Sequence, residues 1–165
     1  MKQAIIFNIL FMTTFMSMAQ TNLSQPGPLS GTWTLKAAQV ILPDGKRVTD
    51  PAYGDSAKGI LMIDANGQYS LQIFKPDRPK FSSGDKKHGT PDEYASALLG
   101  LSTHTGHVRV DSAQALLFFD IDYAAYPNWN HTTQARKFRL SGNELYYEVP
   151  PSAGAGTIAV SVWER

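Results

Sequence analysis

Along most of the chain apolar and polar residues alternate with a period of two, and turn-forming clusters cut the alternation into short runs. The first run, Gly31 to Leu42, predicts a strand with Trp33, Leu35 and Ala37 on one face and Thr32, Thr34 and Lys36 on the other. Pro43-Asp44-Gly45 ends it with a turn, since proline presets φ and glycine tolerates positive φ. Two further strands, Lys58 to Asp64 and Gln68 to Phe74, flank Ala65-Asn66-Gly67, a hairpin turn of the Asn-Gly kind. Lys75 to Gly89 reads as a loop containing Pro76, Pro79 and Gly84. The period then changes. Thr90 can cap, Pro91 suits a first helical position, and Asp92 and Glu93 face the positive end of the helix dipole. Tyr94, Ala97, Leu98 and Leu101 give that helix an apolar stripe, and Gly100 marks its end. Strands resume at Thr103 to Val110, Ala115 to Tyr123, His131 to Leu140, Glu144 to Val149 and Thr157 to Glu164. Eight strands and one short helix predict an all-β, up-and-down antiparallel barrel, whose closure removes exposed sheet edges. A two-sheet sandwich is the alternative arrangement.

The N-terminal residues change the picture of where the protein works. Met1 to Ala19 carry one Lys2, an apolar run from Ala4 to Met16, and small residues at Ser17 and Ala19. That pattern predicts a signal peptide over residues 1–19, because the apolar run is too short to span a bilayer. The expected location is therefore periplasmic or secreted. Residues 20–30, with Pro26, Gly27 and Pro28, read as a flexible tether, and residues 31–165 as one barrel domain. Lys and Arg number 15 and Asp and Glu 14, and removing Lys2 with the leader leaves the two equal. A neutral chain exerts no long-range pull on nucleic acid or acidic lipid, so neither is an expected partner, nor is the protein expected to be integral to a membrane. The absence of Cys excludes disulfides, thiolate metal sites and thiol nucleophiles.

Candidate chemistry lies on the inward faces. The strand His131 to Leu140 ends in the apolar pair Phe138 and Leu140, and counting back by two places Arg136, Gln134 and Thr132 on the same face. An inward arginine is costly unless partnered, so Arg136 is either a structural ion pair or a polar anchor for an anionic or carbonyl-bearing ligand. In the preceding strand Phe118, Asp120 and Asp122 share one face and Phe119, Ile121 and Tyr123 the other. The pattern does not say which set points inward. If it is the first, Asp120 or Asp122 could pair with Arg136. His104 falls in register with Val108 and Val110, while His107 takes the opposite face with Arg109. The two imidazoles therefore cannot share a metal unless a bulge at Gly106 intervenes, and no metal or other cofactor is expected. Tyr126-Pro127-Asn128-Trp129 can rim an opening or fold onto the barrel's end. No phosphate-binding glycine loop and no G-x-S-x-G is present.

Gly31-Thr32-Trp33 resembles the G-x-W opening of lipocalins, and the chain as a whole resembles the bacterial and fungal lipocalin-like domain family. The matching stretches include LSGTWTL (Leu29 to Leu35), KGILMIDANGQYS (Lys58 to Ser70), GTPDEYASAL (Gly89 to Leu98), PNWNHTTQARKFRLSGNELYYEVPP (Pro127 to Pro151) and the closing VWER. The resemblance implies a barrel with a cavity, in which Trp33 closes the floor and Arg165 stacks over it, a structural pairing and not a ligand site. The resulting expectation is a small hydrophobic or amphipathic ligand, with Arg136, Gln134, His104, Asp120, Phe118, Tyr126 and Trp129 as candidate binding residues. A cavity enzyme of cyclase or isomerase type, using His104 or an aspartate as acid or base, and a filled barrel that binds another protein remain alternatives.

Overall fold

A computed structural model describes residues 23–149, 151 and 156–165. The segment expected to be a signal peptide, 1–19, lies outside the described residues. Nine antiparallel strands run β1 (Gly31–Ile41), β2 (Arg47–Thr49), β3 (Lys58–Ile63), β4 (Gln68–Phe74), β5 (Leu101–Asp111), β6 (Leu116–Ala124), β7 (Thr132–Ser141), β8 (Glu144–Val149) and β9 (Ile158–Glu164). Neighbours in sequence pair as neighbours in space, and β9 returns to pair with β1, which closes the eight long strands into a barrel. The short β2, absent from the sequence reading, continues the first hairpin by pairing with the end of β1. Its three residues are too few to show alternation.

The closed barrel places short turns at one end and long connections at the other. Asp64 to Gly67 makes a tight turn in which the Asp64 carboxylate accepts from the Asn66 and Gln68 amides and Gly67 adopts φ +90°. The opposite end carries the Leu42–Ala57 and Lys75–Gly100 connections and the single-turn helix Pro127–Trp129. Helix α1 (Pro91–Leu99) begins with a full capping box: Thr90 Oγ1 accepts from the Glu93 amide and the Glu93 carboxylate accepts from the Thr90 amide. Glu93 also accepts from Ser82, and these amide donors hold its pKa down to about 2. The expected apolar stripe does not enter the core. No residue of α1 is buried, and Tyr94 instead packs edge-on against Phe81.

Two bulges decide which residues point inward. The first shifts the β1–β9 register between Leu35 and Ala37, so the inward series is Trp33, Leu35 and Ala38, and Ala37 is displaced from its expected place. The second leaves Asp122 unpaired where Thr105 opposes Tyr123 but Gly106 opposes Ile121. Leu117, Phe119 and Ile121 are buried, Tyr123 is exposed, and Ala124 packs on the core in its stead. Gly106 permits this crossing, because a Cβ there would lie 2.0 Å from the Asp120 carbonyl oxygen. Gly106→Ala is expected to cost about 1–3 kcal/mol through backbone displacement. Urea denaturation checks it, and an unchanged midpoint would show that β5 and β6 can separate freely.

The floor lies at the short-turn end. Trp33 is fully buried and donates from Nε1 to the Leu29 carbonyl at 2.9 Å. Arg165 lies over the indole, 4.3 Å from its centre, and donates to the Ser30 carbonyl. Residues 23–30 are therefore not a free tether. Ser24 forms a two-way bridge with Val110, and Leu29 is buried in the core.

Candidate functional site

Above this floor the interior is not filled. A cavity of about 490 Å³ opens toward the long connections. Its wall is mostly apolar, including Ala38, Val40, Leu71, Ile73 and Val149, with Trp129 and Tyr53 near the opening. The β-strands supply this wall because each contributes every second side chain to it. Among the described residues the lining holds one arginine, Arg136, one histidine, His104, and one carboxylate, Asp50.

Arg136 sits on β7 opposite Leu117 and is 2 % exposed. Its guanidinium lies 4.2 Å from the Phe119 ring centre and 5.1 Å from that of Tyr147. One Nη donates to Gln134 Oε1 at 2.8 Å and approaches His104 Nε2 at 3.3 Å. An arginine only donates, so His104 Nε2 must accept and its proton sits on Nδ1, 2.8 Å from the Tyr69 hydroxyl. Burial, and next the Arg136 charge, push the His104 pKa down to about 3, so the ring is neutral. Burial likewise lowers the Arg136 pKa and raises that of Tyr147. The Arg136 Nε and the Tyr147 hydroxyl, both buried, have no hydrogen-bond partner among the described residues.

Of the candidate residues, Arg136, Gln134 and His104 form one hydrogen-bonded cluster, and Trp129 joins it edge-on to His104 at 6.0 Å. Tyr126 stands outside the lining, half-exposed, braced against Trp129 at 5.7 Å. Phe118 and Asp120 are not in the cavity. Both take the outer face of β6, where Arg109 lies 5.5 Å from the Phe118 ring centre and donates bidentately to Asp120, at 2.8 Å from Nη2. Thr133 adds a third donor. The sequence Leu-Leu-Phe-Phe-Asp-Ile-Asp offers two apolar faces, and the choice goes to the one that buries no carboxylate while Arg109 satisfies the other from outside. Asp122 is also exposed, so both aspartates of β6 are lost to the acid–base reading, and the two nitrogens of His104 are already engaged; the aspartate that does line the cavity is Asp50, whose pKa burial raises. The residues that sequence reasoning missed are Tyr147, Tyr69, Tyr53, Ser161 and Asp50. For Tyr147 the signal was available, since it lies two residues from the inward Leu145.

A closed antiparallel barrel with a plugged floor and a mostly apolar cavity defines a cavity-bearing β-barrel protein. The chain belongs to the lipocalin-like domain family, whose model it matches over residues 30–165. Over 82 residues, 46% of this chain and 74% of the relative, it is 26% identical to the 4'-hydroxy-3'-methoxypropiophenone carrier protein ppsC of Aspergillus oryzae (strain ATCC 42149 / RIB 40). No solved structure matches. Among the described residues, no helix is long and apolar enough to cross a membrane, and no group of three or more His, Asp or Glu is placed to hold a metal.

Proposed function

We propose that the protein is an exported carrier of a small hydrophobic or amphipathic molecule, which it holds in the barrel cavity. The observation that carries this reading is the 490 Å³ hollow, walled by apolar side chains and reaching down to Arg136. A protein that needed only a stable barrel gains from filling such a space, because an empty apolar cavity forfeits contacts on all sides. The similarity to a protein named as a carrier of an aryl ketone supports the same class of role. The composition of Met1 to Ala19 supports export. In this reading the aliphatic wall and Trp129 take the apolar body of the ligand, and the Arg136–Gln134–His104 cluster faces its polar end.

Mass spectrometry of small molecules extracted from protein purified from its native source should find one organic compound reproducibly bound. N-terminal sequencing of the same material should begin near Gln20. In vitro, the neutral fluorophore N-phenyl-1-naphthylamine should bind with a blue-shifted emission. Ala159→Phe, which places a ring in the cavity, should weaken that binding about tenfold or more while leaving the fold intact. Equal binding by both proteins would place the fluorophore outside the barrel and defeat the carrier reading.

A further inference from the structure

The buried end of the cavity carries an unbalanced positive charge. Arg136 brings a permanent positive charge into the interior, yet none of the ion pairs among the described residues includes it. Residues 1–22, 150 and 152–155 contain no Asp or Glu that could supply one. The other charged group in the lining, Asp50, lies on the Leu42–Ala57 connection at the mouth, where its carboxylate accepts from the Ala52 amide. What Arg136 does touch is neutral: one amide oxygen, one imidazole nitrogen and two aromatic faces. Its Nε and the Tyr147 hydroxyl lack a partner at hydrogen-bonding geometry among the described residues, but both atoms are shielded from the cavity, and that hydroxyl faces the side chains of Arg136, Ser161 and Trp163. Both residues line the cavity. Ser161, the cross-strand neighbour of Tyr147, lines it as well and adds a further hydroxyl.

A buried cation with no counter-ion among the described residues is an arrangement that natural interiors complete with a partner. The partner must bring negative charge and lone pairs without donors of its own. A neutral carbonyl supplies lone pairs and no charge, so it satisfies the hydrogen bonds and leaves the cation uncompensated. We infer that the cavity is selective for organic monoanions, an oxyanion such as a carboxylate, sulfonate or acidic phenolate on an apolar body, seated against the Arg136 guanidinium. This rests on the cavity being a binding site and narrows its ligand class. Charge-assisted bonds of this kind, formed away from water, exceed neutral ones about twofold in strength.

The test compares two probes that share one aromatic body and differ by one sulfonate: N-phenyl-1-naphthylamine, which is neutral, and 8-anilino-1-naphthalenesulfonate. The purified chain should bind the anion at least about tenfold more tightly, a gap that one charge-assisted hydrogen bond accounts for. Arg136→Gln should abolish it, with near-ultraviolet circular dichroism reporting an intact core. If the neutral probe binds equally well or better, or if the gap survives Arg136→Gln, the anion assignment is wrong while the carrier reading stands. If neither probe binds, both readings fail together.

Discussion

Trp33→Ala should remove about 3–5 kcal/mol of stability, the range for deleting a fully buried large aromatic side chain. The loss has three parts that act together. The indole is fully enclosed, so its removal leaves a hole that the surrounding β-strands cannot close. Its Nε1–H bond to the Leu29 carbonyl disappears and leaves a buried acceptor alone. Arg165 loses the ring it covers. Natural domains have only about 5–15 kcal/mol in total, so the variant should melt far below the wild type and release residues 23–30 to proteases. Arg165→Ala, which removes only the exposed cover, should cost about 1 kcal/mol. Thermal and urea unfolding of both variants measures the two effects. A Trp33→Ala loss no larger than that of Arg165→Ala would mean that the floor is held by the backbone and not by the indole.

Acidification should weaken the fold through His104, by up to about 3 kcal/mol at pH 4. The folded pKa is about 3, against an ordinary value of 6.5, so between those values the unfolded chain takes up a proton that the native barrel refuses. The stability associated with the neutral ring is fully present above pH 6.5 and is lost as the pH falls toward 3. Protonation would set an imidazolium beside the Arg136 guanidinium and deprive Arg136 of an acceptor. Asp120 has a lowered pKa, and it too loses stability in acid, whereas the raised pKa of Asp50 works the other way. The effect of His104 alone is therefore read as a difference. Urea titrations of the wild type and of His104→Gln at pH 7 and pH 4 should converge or cross as the pH drops. Parallel losses in the two proteins would show that His104 does not govern the acid limb.

Much of this molecule follows from local chemistry. Asn66-Gly67 specifies a hairpin whatever surrounds it, because glycine alone takes the required φ without strain. Thr90-Pro91-Asp92-Glu93 specifies a helix start by the donors and acceptors it contains. Alternation along β4, β5 and β7 already separates inside from outside, which is how Arg136 and His104 could be placed on the core face before any contact was known. What alternation does not carry is where it slips. The bulges at Lys36 and Asp122 each consume one residue, and beyond them the faces exchange: Ala37 gives way to Ala38 and Tyr123 to Ala124. Nor does it carry a choice between two equally apolar faces, as on β6.

By itself, then, the sequence determined the order of the strands, their turns, the capped helix and the presence of an arginine among core residues, since each depends on neighbours within a few positions along the chain. The tertiary structure alone decided that Asp120 belongs to Arg109 on the outside, that Arg136 consequently has no counter-ion among the described residues, that residues 23–30 plug the floor, and that Tyr147 shares the cavity's buried end. Those outcomes depend on the register in which distant strands meet and on the curvature that closes β9 onto β1. Register and curvature are set by the packing of the whole interior and not by any one segment.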